Sequence, residues 1–211
     1  MSPIGIFGAS GMAREAADIA YELGLEPVYV VRDQTEAVAF PFPGRVILES
    51  DIAGYEDMSF VIAIGDNSIR QRIVEVHGAR LDFVSLIHPS ASFGAGQREL
   101  VEAKRGVIVC AGVRFTNNIE VGDFCIFNLN STISHDVILG DYVYVAPGAH
   151  IVGNVHVKTK AWIGTGAVIN QGTGSQKRCI GEGATIGAGA VVVADCHSNA
   201  TYVGVPARRV N

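Results

Sequence analysis

His135 and Asp136 stand side by side in Ile133-Ser134-His135-Asp136-Val137, and a histidine whose tautomer is set by a carboxylate is a competent general base near neutral pH. Adjacent side chains on a regular strand diverge, so this pair closes only where the chain turns a corner. Without chemistry the same residues would make a polar turn. Asn128, a little upstream, is a second polar side chain in an otherwise apolar stretch. The remaining histidines have structural readings: His77 ends a predicted helix, His88 precedes Pro89, His150 and His156 take outward or corner positions, and His197 lies in a polar tail segment.

A second constellation lies near the start. Ile4-Gly5-Ile6-Phe7 reads as a buried strand, Gly8-Ala9-Ser10-Gly11 as a glycine turn, and residues 12–23 as a helix with apolar residues at helical spacing. This layout lets the backbone and a helix N-terminus approach a phosphate. Residues 27–31 give a second strand ending at Arg32-Asp33, about where an acidic residue would meet a ribose hydroxyl. Residues 60–64 give a third strand, ending in Gly65-Asp66-Asn67, with a helix over 68–77 that Asn67 or Ser68 would cap. Residues 81–87 read as a fourth strand. There is too little chain for a second mononucleotide half, so a nucleotide-sugar fits better than a dinucleotide.

The element that must position His135 is a repeat. Val109, Phe115, Val121, Phe127, Ile133, Leu139, Val145, Ile151, Val157, Ile163 and Ile169 recur every six residues, and four residues after each comes a smaller side chain, from Val113 to Thr173. Neither a helix nor a simple amphipathic strand has this period. Gly or Asn often follows the large residue (Gly122, Asn128, Gly140, Gly164), which reads as turn chemistry. Hexads of this kind build a parallel β-helix, whose stacked coils bury a ladder that no single coil buries alone. The phase breaks at 172–178 and resumes at Ile180, as a looped-out segment requires. The expected architecture is an α/β Rossmann-like domain over 1–86, followed by a left-handed parallel β-helix of hexapeptide repeats over 87–211.

A net charge of −5 over 211 residues argues against a general nucleic-acid or anionic-membrane binder, which needs a basic surface. No apolar run approaches the roughly 20 residues that span a bilayer, and no leader precedes Ile4, so a cytoplasmic protein is expected. The four cysteines show no metal-type spacing and read as packing or surface thiols.

Several motifs together resemble the sugar O- and N-acyltransferase family of left-handed β-helix proteins, which includes sialic acid O-acetyltransferases and enzymes that acetylate UDP-4-amino sugars for bacillosamine synthesis. They are Gly8-Ala9-Ser10-Gly11, Ala63-Ile64-Gly65-Asp66-Asn67-x-x-Arg70, Ile87-His88-Pro89-Ser90-Ala91, Asn128-x-Asn130-Ser131-x-Ile133-Ser134-His135-Asp136, Ala146-Pro147-Gly148-Ala149 with Gly153-Asn154-Val155, and Gly204-Val205-Pro206-Ala207-Arg208. The resemblance implies a homotrimer with active sites between chains, using acetyl-CoA as co-substrate, a nucleotide-sugar acceptor and no metal. It implies that His135 is the catalytic base, oriented by Asp136, and that Asn128 contacts substrate. Ser10, Gly11, Met12, Arg32, Asp33 and Gly65 align with nucleotide-sugar contacts; Tyr144, Gly153, Thr165 and Ala188 align with positions beside acetyl-CoA.

Three positions depart from the family pattern: Met12 and Tyr144 stand where histidines are usual, and Arg32 where an acidic residue is often found. Arg32 could meet a phosphate or carboxylate, so substrate identity stays open here. Lys177-Arg178 in the looped-out segment could contact coenzyme phosphates or be solvated. The expected activity is N-acetylation of a nucleotide-activated 4-amino sugar, of the UDP-4-amino-4,6-dideoxy-N-acetylglucosamine type. The alternatives are O-acetylation of sialic acid or a related sugar, a non-catalytic β-helix scaffold, and a zinc enzyme of the γ-carbonic-anhydrase kind. The last needs three convergent histidines, a spacing that His135, His150 and His156 do not offer.

Overall fold

A computed structural model describes residues 1–210 of the chain. Strand β1 (Pro3–Phe7) leads into helix α1 (Gly11–Glu22), β2 (Glu26–Val31), α2 (Gln34–Ala39), β3 (Arg45–Leu48), a 3-10 turn (Glu49–Tyr55), β4 (Ser59–Ile62), α3 (Asn67–His77) and β5 (Asp82–Phe83). The five strands form one parallel sheet in the order β3-β2-β1-β4-β5. Its centre is apolar on both faces, as a covered parallel sheet must be: Ile6, Val28, Phe60, Val61 and Ile62 are buried. Ala13, Ala16, Ala17 and Ala20 bury one face of α1, small enough to let the helix lie close to the sheet.

Four expectations are corrected here. The predicted fourth strand over 81–87 is broken: Asp82–Phe83 closes the front sheet, while β6 (Leu86–Ile87) pairs with Ile108–Val109 in the next body. Asp66, not Asn67 or Ser68, caps α3, its carboxylate accepting from the N–H groups of Ser68 and Ile69 at 2.9 Å. Thr173 leaves the inward ladder and is exposed, because the phase break begins before it. The fourth concerns the turn residues of the repeat.

After β6 the chain winds through three parallel sheets. Face I carries β6 and the strands at Ile108–Val109, Ile126–Phe127, Tyr144–Val145, Trp162–Ile163 and Thr185–Ile186; face II runs from Ser92–Phe93 through Thr132–Ile133 and His150–Ile151 to Val191–Val192; face III holds Glu120–Val121, Ile138–Leu139, Val155–Val157 and Arg178–Ile180. This is the left-handed parallel β-helix. All eleven large ladder residues are at most 4% exposed, and full burial of such a side chain stabilises by about 1.5–3 kcal/mol. A short helix, α4 (Gln97–Glu102), interrupts the first coil; nothing in the hexad pattern announced it.

The corners lie three residues beyond the large residue, not directly after it. Residues 106, 112, 118, 124, 130, 136, 142, 148, 154, 160 and 166 all have positive φ, and seven of them are not glycine. Asn and Asp visit this region most readily among L residues, and Asn118, Asn130, Asp136 and Asn154 are among the seven. Gly122 and Gly140, predicted to supply positive φ, are instead glycine because the next coil is too close. A Cβ on Gly122 would lie 2.5 Å from the Gly140 carbonyl carbon, and one on Gly140 would lie 2.5 Å from the Thr159 nitrogen.

The two bodies are pinned by Arg70, a wholly buried residue of α3. Its guanidinium donates to the carbonyls of Ile64 (2.9 Å) and Gly65 (3.0 Å) in the front body, and to those of Phe124 (3.1 Å) and Tyr142 (2.7 Å) at two stacked corners. Burial pushes its pKa down to about 10, so it stays charged at neutral pH. Asn67 adds a bond to the Lys160 carbonyl, 2.8 Å away on the next corner. Phe124 and Tyr142 are bulky residues at φ 57° and 59°, a costly conformation for such side chains. Their rings stack with centroids 5.4 Å apart, and Arg70 holds both carbonyls.

Candidate active site

His135 sits where the β-helix turns from face II to face III, two residues beyond the buried Ile133. Asp136 follows at φ 60°, and this left-handed corner swings its carboxylate back: Asp136 Oδ2 lies 2.7 Å from His135 Nδ1. Asn118, one coil below, donates to Asp136 Oδ1 at 2.5 Å. Chiefly these two contacts, and to a lesser degree the charges of His135 and Lys177, hold the Asp136 carboxyl below the usual carboxylate range, with burial opposing them. With Nδ1 engaged, Nε2 is the ring nitrogen left to exchange a proton with a reactant.

Gly153, one coil above, lies directly against the imidazole. A Cβ there would sit 2.5 Å from His135 Cε1 and 2.6 Å from Nε2, so only glycine lets the ring occupy this place. The Gly153 N–H makes no hydrogen bond among the described residues. His135, Asp136, Gly153, Asn154, Gly172 and Lys177 line a cavity of about 350 Å³. Asn154 was not singled out as a site residue from sequence, and Lys177 was read with Arg178 as a contact to coenzyme phosphates or a solvated side chain rather than as a neighbour of Asp136. The clue was the phase break at 172–178, which puts an extra loop on this edge. Arg178 turns away, toward Asp195 at 3.5 Å.

A second group forms where α1 meets face I. Asn128 is buried, donating to the Tyr144 hydroxyl at 2.9 Å and to the Met12 sulfur at 3.6 Å, while its Oδ1 accepts from the Leu129 N–H. Tyr144 stacks on Trp162 with centroids 5.8 Å apart, and burial pushes its phenol pKa up. Gly65 completes the group, a Cβ there falling 3.7 Å from the Tyr144 ring.

The third group lies at the carboxyl ends of β1, β2 and β4, the edge where open parallel sheets bind ligands. Gly8, Ser10, Arg32, Glu36, Glu49 and Arg72 line a cavity of about 270 Å³. Ser10 is the N-cap of α1 but makes no side-chain cap bond, and the first turn carries no acidic residue; its N–H groups suit an anion. Asp33 has a local partner set: Oδ1 accepts from the Glu36 N–H at 3.0 Å, capping α2, and Oδ2 pairs with Arg32 at 2.8 Å. Those contacts hold its pKa below the usual range. Gly11 borders a separate groove with Arg14 and Phe42.

Thr165 and Ala188 are exposed beside the corners between faces I and II. The sequence-derived site residues therefore fall on different edges of one chain. His135, Asp136 and Gly153 come together. Asn128, Tyr144, Met12 and Gly65 do so elsewhere, Ser10 and Arg32 share the front cavity, and Thr165 and Ala188 stand apart. Among the described residues no group of three or more His, Cys, Asp and Glu side chains could hold a metal ion, and no helix is long and apolar enough to cross a membrane.

Residues 3–76 match the family described as the PglD N-terminal domain. The chain is 31% identical to the GDP-perosamine N-acetyltransferase of Escherichia coli O157:H7, over 100% of this chain and 97% of that protein. Among solved structures it is similar to the acetyltransferase domain of PglB from Neisseria gonorrhoeae FA1090 in complex with acetyl coenzyme A, with 28% identity, 99% and 98% of the two chains covered and a TM-score of 0.82. It is also similar to PerB from Caulobacter crescentus in complex with CoA and GDP-perosamine, at 26% identity, 100% and 98% coverage and a TM-score of 0.83.

Proposed function

Because the chain belongs to the sugar N-acetyltransferases of the left-handed β-helix family, we propose that it transfers the acetyl group of acetyl-CoA to the 4-amino group of a nucleotide-activated amino sugar, with His135 as general base. The observation that carries this reading is the oriented imidazole: Nδ1 is occupied by Asp136 at 2.7 Å, and the ring lies over Gly153 at the rim of an open cavity. In the step envisaged, the amine nitrogen attacks the thioester carbonyl carbon as His135 Nε2 takes a proton from it. Charge develops on the carbonyl oxygen, for which the Gly153 N–H is the donor. The C–S bond then breaks, and the proton held by His135 passes to the departing CoA thiolate. Asp136 stabilises the imidazolium in between.

The front cavity is the proposed nucleotide-sugar subsite: it offers the free N–H groups of α1 and two arginines to a diphosphate. Within one chain the front body packs on face I and on the corners at 124, 142 and 160, whereas His135 lies on the edge between faces II and III. A second copy would therefore bring its His135 edge to the amino sugar, which supports active sites shared between chains of the proposed homotrimer.

The test is to incubate purified protein with acetyl-CoA and a panel of GDP- and UDP-linked 4-amino sugars plus free sialic acid, following thiol release beside a His135→Ala control. Rapid release with an amino-sugar nucleotide, lost in the control, is expected. Release with sialic acid alone would replace this reading by O-acetylation; release unaffected by the substitution would remove His135 as the base.

A further inference from the structure

At the edge between faces II and III the corners Asn118, Asp136 and Asn154 stack at intervals of 18 residues, all with φ between 54° and 60°. The next coil breaks the interval. Val155 pairs with Arg178, a spacing of 23, where Ile138 pairs with His156 at 18, so five extra residues are extruded above the His135 corner. The extruded loop is tied down there. Gly172 N–H bonds to the Gly153 carbonyl, Arg178 N–H to the Asn154 carbonyl, and the Asn154 amide to the Thr173 carbonyl. Its last residue, Lys177, turns back along the edge and puts its ammonium 2.5 Å from the Asp136 carbonyl oxygen and 3.2 Å from Asn154 Oδ1.

We propose that Lys177 is a positioning residue for the transfer, fixing the Asp136 corner so that its carboxylate stays on His135 Nδ1. This rests on the assignment of His135 as the base. Asp136 is held from two sides, by Asn118 on the carboxylate and by Lys177 on the carbonyl. An ammonium has three N–H donors, and the two protein acceptors named leave a third for the cavity that Lys177 shares with His135 and Gly153. His135, Asp136 and Lys177 are the titratable residues lining that cavity. On the neighbouring face-III strand, burial first, then Lys158 and Lys177, push the His156 pKa down. Arg178 is engaged with Asp195.

The experiment is steady-state kinetics for the full chain and for Lys177→Met and Lys177→Arg, with melting temperatures as a folding check. Lys177→Met is expected to lower kcat about tenfold with both KM values little changed, since a mispositioned base costs rate rather than binding. Lys177→Arg, which keeps a donor for the Asp136 carbonyl, should restore most of the lost kcat. An unchanged kcat in Lys177→Met, an equal loss in both variants, or a loss confined to the KM for acetyl-CoA would each overturn the proposal; the last would make Lys177 a contact to coenzyme phosphates. Failure of the functional reading looks different: the unsubstituted enzyme would then turn over no amino sugar, or lose nothing on His135→Ala.

Discussion

Replacing Arg70 by Met should cost more stability than any single surface change, although Arg70 is far from the proposed chemistry. The guanidinium makes four hydrogen bonds to carbonyls of Ile64, Gly65, Phe124 and Tyr142 at 2.7–3.1 Å. A bond to a charged donor contributes about 1.5–3 kcal/mol, so the gross loss is roughly 6–12 kcal/mol. Against it stands the desolvation of the buried cation, visible in a pKa pushed down to about 10 from 12.5; that shift corresponds to roughly 3 kcal/mol, which a neutral side chain recovers. Met also fills part of the space. The difference is about 3–9 kcal/mol, and the expected net destabilisation lies in its lower part, about 3–5 kcal/mol, the range found when a buried ionic network is broken. For a chain of this size each kcal/mol moves Tm by about 2–4 °C, so the variant should melt roughly 6–20 °C lower. The assay is a thermal melt beside Arg72→Met, a control on the same helix. Equal, small losses in both variants would refute the idea that Arg70 pins the two bodies. Lys at 70 should fall between, since it keeps the charge but cannot span four acceptors with one fork.

Other outcomes can be checked with the same preparations. His135→Ala should lower kcat about 10²–10⁴-fold, the usual span for a general base, with melting unchanged because the ring is largely exposed. Gly153→Ala forces the imidazole away, since the new Cβ would lie 2.5 Å from Cε1; activity should fall on the order of 100-fold, read by the thiol-release assay, while circular dichroism stays that of the parent. Cys110 and Cys125 are pushed up to about 12 by burial, whereas an unfolded thiol titrates near 8.5. Above that pH the unfolded chain loses protons that the folded chain retains, so stability falls as pH rises from about 8.5 toward 12. Urea midpoints at pH 8 and pH 10 should show the decline, and Cys110→Ala with Cys125→Ala should lessen it, leaving the part due to Cys196, which burial also pushes up to about 12.

The β-helix was legible because a ladder with one spacing and no exceptions leaves few architectures, and every large residue in it is buried. Its corners were misplaced by three residues. Asn118, Asp136 and Asn154 look like ordinary polar residues until the backbone shows their positive φ, while Gly122 and Gly140 attract notice for a reason that turns out to be close approach. Residues 81–87 have the apolar alternation of one strand, and periodicity alone cannot reveal that Phe83 and Leu86 serve different sheets. The His135–Asp136 pair was readable because its partners are adjacent in sequence. Asn118 and Lys177 were not, lying 18 and 41 residues from Asp136 and meeting it only through the stacking of coils. The capping role of Asp33 was hidden by its position at a strand end, where a ribose contact was the expected use.

The most direct test of the account is the structure of the product formed from acetyl-CoA and a GDP- or UDP-linked 4-amino-4,6-dideoxy sugar, determined by NMR after turnover with the full chain and with His135→Ala. An amide at C4 with the sugar hydroxyls unmodified, formed by the full chain and not by the variant, is the expected result. An ester on a hydroxyl, or the same amide formed equally fast by both proteins, would contradict it.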